Sequence, residues 1–141
     1  AGELCCEAMP DGSLNFAVVR GTKGMRELTW ETVPVPADVQ AKPSFDFTFY
    51  GGQGYLAEPS TSFELFVDGV KAIDIPEVSL VSKTWSQNGY TLKYVRDSET
   101  MEMGWYTLTV PSDRLTPGRP VSLRIVAKVN ATRRWFAVVA E

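Results

Sequence analysis

Apolar and polar residues alternate along most of this chain. Phe45, Phe47 and Phe49 alternate with Asp46, Thr48 and Tyr50, and Phe63, Leu65 and Val67 repeat the pattern. Side chains on a strand point to opposite faces with period 2, so each set shares one face of a strand. Between them the segment from Gly51 to Ser62 reads as a Gly-rich loop. The same alternation predicts strands over Leu14 to Val19, Glu27 to Val33, Val70 to Ile75, Val78 to Ser86 and Tyr90 to Arg96. It does so again over Trp105 to Val110, Val121 to Val129 and Arg133 to Ala140. Glu3 to Cys6 reads as a short edge strand.

The turns between these runs carry their own chemistry. Asp68-Gly69 and Asn88-Gly89 each sit between apolar residues. Such pairs tolerate the positive φ that a two-residue hairpin needs at both central positions, so each predicts a hairpin. Pro34, Pro36 and Pro43 bracket a connection that cannot be a central strand, because proline lacks the ladder donor. Pro111 to Leu115 predicts one helical turn with Ser112 as its cap. Asp97 to Glu102 reads as an acidic loop. No stretch of ten residues carries a helical period. Short strands with turn signals between them predict an all-β protein, an antiparallel β-sandwich or jelly roll, with residues 1–141 forming one module.

Composition narrows the function. The 141 residues are 44% hydrophobic, enough for a core without disulfides. Net charge is −3, so a nucleic-acid partner would require a concentrated basic patch, and Arg133-Arg134 is a thin one. No apolar run reaches the length of a membrane helix. The sequence carries no recognisable signal peptide, so export would imply a leader already removed or borne by a larger parent chain. Histidine is absent, which removes the usual Ser-His and Cys-His nucleophile pairs and histidine-based zinc sites. The two cysteines, Cys5 and Cys6, are neighbours, an arrangement that seldom bridges itself. They read as free thiols on an edge strand, with an intermolecular disulfide as the alternative.

Aromatic residues are the main candidates for chemistry. A sugar ring stacks its C–H face on an aromatic ring while its hydroxyls seek planar polar side chains. Trp105 shares a face with Thr107 and Thr109, opposite the core set Tyr106, Leu108 and Val110. Trp85 precedes the Gln87-Asn88-Gly89 turn. Trp135 lies near Arg133, and Tyr55 lies in the Gly-rich segment with Gln53 and Glu58. Trp30 reads as packing. A tryptophan on a sandwich strand is more often core than ligand contact, so each candidate stands against that alternative. Asp97, Glu99 and Glu102 could supply carboxylates for glycoside hydrolysis or oxygen ligands for calcium, but any protein offers such a loop, and a solvated acidic loop is the favoured reading. Gly51 to Gly54 lacks the Lys-Ser/Thr and the helix of a phosphate-binding loop.

Three segments together resemble a known family. Phe63 to Lys71 pairs an apolar strand with an Asp-Gly turn and a returning strand. Tyr106 to Pro111 ends a strand in proline. Leu115-Thr-Pro-Gly118 then leads into the strand from Val121. This series resembles galactose-binding-like jelly-roll domains, over roughly Leu14 to Ala140. The resemblance implies an accessory module of a secreted, extracellular or periplasmic, bacterial polysaccharide-degrading enzyme, excised from a longer chain. It implies a poly- or oligosaccharide partner, a linked catalytic domain, no catalytic residues of its own, no required cofactor and at most a structural calcium. Nucleic acid and membrane are not expected partners. The alternative is a structural or protein-interaction domain that braces a catalytic neighbour.

Overall fold

The computed structural model describes residues 3–8, 14–19, 24–32, 34–53, 61–79, 81–97, 102–129 and 135–140. They form eleven strands: β1 Glu3–Ala8, β2 Leu14–Val19, β3 Gly24–Glu31, β4 Ser44–Gln53, β5 Thr61–Val67, β6 Val70–Ile75, β7 Lys83–Gln87, β8 Tyr90–Arg96, β9 Glu102–Pro111, β10 Ser122–Val129 and β11 Trp135–Ala140. The only helical pieces among the described residues are two 3-10 turns, Val39–Ala41 and Ser112–Arg114. The protein is all-β. Seven strands form one sheet in the order β1-β2-β11-β4-β9-β8-β7, and four form a second in the order β3-β10-β5-β6. Every pairing is antiparallel.

The inner faces of the two sheets follow the alternation in the sequence. On the larger sheet, cross-strand register aligns Phe47, Leu108, Leu92 and Trp85, and beside them Phe49, Tyr106 and Tyr94. On the smaller sheet Phe63, Leu65 and Val67 face inward with Leu123, Ile125 and Ala127. These residues join one hydrophobic cluster. Tyr106 ties the sheets together. It stacks on Phe49 at 5.0 Å and on Tyr94 at 4.7 Å between ring centroids, and meets Phe63 of the smaller sheet edge-on at 5.6 Å. Aromatic pairs in these geometries add stability beyond the area they bury.

Both predicted hairpins are present, with positive φ at Asp68 and Gly69 and at Asn88 and Gly89. In β5–β6 the register slips so that Leu65 faces Ile73 and Phe66 faces Lys71, leaving Ala72 as the extra residue of a β-bulge. Ala72 and Ile73 are in consequence both buried. The bulge lies on an edge strand, and the tip of the other hairpin covers that edge. The Gln87 side chain accepts from the Asp74 N–H at 2.7 Å and donates to the Asp74 carbonyl at 2.8 Å. Asn88 donates to the Ala72 carbonyl at 3.2 Å. Arg114 in turn donates to the Asn88 carbonyl at 2.7 Å and lies over the Tyr90 ring. Unpaired edge groups template aggregation, and here side-chain amides occupy them.

Several boundaries differ from the sequence expectation. Gly51, Gly52 and Gln53 belong to β4 rather than to a loop, because β9 and β11 pair with all three. A chain paired on both sides is held as strand whatever its glycine content. The seventh strand begins at Lys83, not Val78. Val78 is buried, while the Ser79 side chain bonds the Val81 backbone locally and turns the chain. Glu102 extends β9 instead of closing an acidic loop. Ser112 lies within its 3-10 turn rather than capping it. Pro111 holds the cap position without a side-chain bond, and the Ser112 hydroxyl donates to the Lys42 carbonyl. Cys5 and Cys6 pair through their backbones with Ala17 and Phe16 on β1–β2.

Candidate functional site: an aromatic platform on the larger sheet

The outer face of the larger sheet is built by the residues that alternate with its core. Register places Tyr50 of β4, Trp105 of β9 and Val95 of β8 side by side. The next row is Thr48, Thr107 and Lys93, and the one after it Asp46, Thr109 and Thr91. Large aromatics are usually taken into the core, yet Trp105 is 46% exposed and its neighbour Val95 42%. The Tyr50 ring meets the Trp105 indole in an edge-on arrangement, centroids 5.1 Å apart. That contact fixes the indole plane without covering the ring.

Polar groups are fixed around this pair. The Tyr50 hydroxyl donates to Asp97 Oδ1 at 2.8 Å. Partial burial, reinforced by the Asp97 carboxylate, raises the Tyr50 phenol above its ordinary value. Tyr50 therefore stays a protonated donor at neutral pH, and its oxygen keeps acceptor capacity for a ligand. Thr109 donates to Asp46 Oδ1 at 2.7 Å two rows away. An open indole beside an oriented phenol–carboxylate pair and a row of threonines is chemically suited to an apolar ring face with hydroxyls at its rim.

Glycines set the spacing beneath the platform. Gly51 of β4 and Gly104 of β9 are paired neighbours, and Gly104 faces Arg96 of β8. A Cβ on Gly104 would stand 2.1 Å from the Val95 carbonyl oxygen and 2.8 Å from Arg96 Cα. Only glycine lets β8 and β9 approach this closely, and that approach brings Val95 beside Trp105.

The other candidates fall elsewhere. Trp85 is half-buried on the inner face, packed against the core cluster, with the Lys83 ammonium 5.3 Å from its ring. It is not part of the platform. Gln53 lies at the end of β4, paired with Glu102 and Phe136. Trp135 begins β11 opposite Val19, and Trp30 pairs with Leu123 on the smaller sheet. Tyr55, Glu58, Arg133 and Glu99 lie outside the described residues. Of the three acids considered for calcium, Asp97 is engaged by Tyr50, and Glu102 lies on β9 opposite Gln53. No metal-ligand cluster occurs among the described residues, nor any helix long and apolar enough to cross a membrane. Tyr50 was read in the sequence only as a polar alternate of the phenylalanines. Its role depends on meeting Trp105, from 55 positions further along, through the β4–β9 register. A shallow cavity of about 210 Å³ opens at the other end of β4, between Pro36, Val39, Lys42 and Phe45. It shares none of the platform residues.

No protein-family model matches the chain, and no curated protein matches it. Among solved structures the chain is similar to the CspB protease of Clostridium perfringens, at 13% identity and a TM-score of 0.42 over 83% of its length. The chain spans 24% of that protein. Nothing about the chemistry of this chain follows from a likeness at that level.

Proposed function

We propose that this chain is a non-catalytic carbohydrate-binding module of the galactose-binding-like jelly-roll type, which holds a secreted glycan-active enzyme to its polysaccharide. The observation that carries the reading is the exposed Trp105 indole, set edge-on by Tyr50 and flanked by the Tyr50–Asp97 hydrogen bond on a sheet face. An apolar plate with fixed donors and acceptors at its margin matches a pyranose ring, which is apolar on its faces and polar at its edge. The strand orders favour the jelly-roll assignment. The larger sheet contains the order β2-β11-β4-β9 and the smaller the order β3-β10-β5-β6, the two orders that a pair of interlocked Greek keys produces. A chain without histidine also lacks the commonest general base, which favours binding over turnover.

Affinity electrophoresis through gels containing soluble polysaccharides tests this. At least one polysaccharide is expected to retard the wild-type protein, and Trp105→Ala is expected to migrate freely while keeping the wild-type unfolding midpoint. Migration unaffected by every polysaccharide would refute the reading and favour a domain whose aromatic face packs on a protein neighbour. Retardation that Trp105→Ala leaves unchanged would refute the platform as the site.

A further inference from the structure

Resting on the carbohydrate-binding reading, we infer that Asp97 is a positioning residue for Trp105: its carboxylate holds the Tyr50 ring across β9, and that ring sets the indole. Strand order places β9 between β4 and β8. Tyr50 belongs to β4, while Asp97 directly follows β8, so their backbones lie two strand spacings apart, about 10 Å. Their side chains nevertheless meet, the Tyr50 hydroxyl donating to Asp97 Oδ1 at 2.8 Å. The hydrogen bond is made over the top of β9.

Register shows where it crosses. Tyr50 lies opposite Trp105. Asp97 lies opposite Met103, one row away, and its N–H donates to the Met103 carbonyl at 3.1 Å. Tyr50 therefore leans diagonally toward the Met103 row rather than straight across its own. The residue of β4 in that row is Gly52, which has no side chain to stop the lean. A ring laid this way passes along the side of Trp105, and it meets the indole edge-on with centroids 5.1 Å apart. One phenol joins the two contacts: its hydroxyl is tied to Asp97 and its ring borders Trp105.

Backbone holds both ends of this bridge. Tyr50 sits in a strand paired on both sides, by β9 and β11, and the Asp97 N–H extends the β8–β9 ladder. Only the side-chain torsions between them are free to vary. Tyr50 is half-buried and Asp97 exposed, so packing alone does not fix either rotamer. A hydroxyl on a carboxylate makes a charge-assisted bond, and it selects the Tyr50 rotamer that borders the indole. Trp105 is exposed, and the Tyr50 ring is a fixed border beside it. An indole oriented before the ligand arrives removes an ordering cost from the binding step.

Fluorine NMR of protein carrying 5-fluorotryptophan tests the inference without a ligand. The Trp105 resonance is assigned by its loss in Trp105→Phe. Asp97→Ala and Tyr50→Phe are each expected to shift it in the same direction and to leave the Trp30, Trp85 and Trp135 resonances in place. Asp97→Asn, whose amide oxygen still accepts from the phenol, is expected to restore it. Affinity electrophoresis in a polysaccharide gel that retards wild type supplies the second arm. Asp97→Ala is expected to weaken binding about fivefold, the equivalent of one net hydrogen bond, and to add nothing in a Tyr50→Phe background. A Trp105 resonance unmoved by Asp97→Ala would overturn the inference. So would a further loss of affinity when Asp97→Ala is added to Tyr50→Phe, because Asp97 would then touch the ligand itself. A resonance shifted as expected in a protein that no polysaccharide retards would uphold the bridge and overturn the carbohydrate reading.

Discussion

Replacing Gly104 by alanine probes the spacing on which the platform depends. The added Cβ would lie 2.1 Å from the Val95 carbonyl oxygen, where an ordinary carbon–oxygen contact needs about 3.3 Å. The obstructing atoms include backbone, so no rotamer change relieves the clash. Strands β8 and β9 must part by about 1 Å at the Gly104–Arg96 pair. Overpacking of this kind costs about 1–3 kcal/mol, and a weakened ladder hydrogen bond adds about 1 kcal/mol. Gly104 is not among the positive-φ residues, so alanine carries no backbone penalty there. It gains about 0.4–1 kcal/mol from a stiffer unfolded chain. The net expectation is a loss of about 2 kcal/mol. Urea unfolding followed by tryptophan fluorescence measures it as a lower midpoint at unchanged slope. Gly69→Ala is the comparison. Nothing lies within 4 Å of its added Cβ, and only its φ of +82° opposes the change, at about 1 kcal/mol. Gly104→Ala should in addition weaken glycan binding by separating Val95 from Trp105, whereas Gly69→Ala should not. A Gly104→Ala protein as stable as wild type would refute the close-approach argument.

Trp85→Ala should cost about 2 kcal/mol by urea unfolding, since the half-buried ring packs on the core, and leave glycan affinity unchanged; lost affinity at full stability would move the site to the inner edge. Gln87→Ala should cost about 1 kcal/mol by releasing two hydrogen bonds, and should speed hydrogen exchange at the Asp74 amide. It should also increase heat-induced aggregation by uncovering the β6 edge, visible in light scattering. Burial holds the Tyr106 phenol well above its unfolded value near 10. The folded state therefore keeps a proton that the unfolded state releases. This contribution to stability is complete below pH 10 and is lost as pH rises above it. Tyr106→Phe should flatten the alkaline fall in unfolding free energy by up to about 1.4 kcal/mol per pH unit, and an unchanged slope would contradict the burial. Because Asp97 is engaged by Tyr50, adding calcium to chelator-treated protein should leave the melting temperature unchanged, and a rise would return Asp97, Glu99 and Glu102 to the role of metal ligands.

Local physics was legible wherever one residue's neighbours in sequence were also its determinants. Both hairpins followed from Asp-Gly and Asn-Gly, and β2, β6 and β8 span the residues their alternation predicts. Trp105 was placed opposite the Tyr106, Leu108 and Val110 core set by parity alone, and it lies there. Parity did not place Trp85, because its turn-proximal position gave no indication of which face the strand would bury. The glycines at 51 and 52 were misread for a related reason. In isolation they favour a loop, and only the partners on both sides make them strand.

The sequence by itself determined that this protein is all-β, which residues share a face, and where the chain reverses. Period-2 alternation and positive-φ turn chemistry are set within a few residues, and need no distant partner. Tertiary structure alone decided which faces meet and which stay open. The site belongs to that second class. Tyr50, Val95 and Trp105 come from three strands that antiparallel register brings into one row, and Asp97, just past the end of β8, joins them through its hydrogen bond to Tyr50. Register is fixed by burying the opposite face, through Phe49, Tyr106 and Tyr94. The core thus positions the platform, and a pattern read along one strand at a time cannot contain a contact made between three.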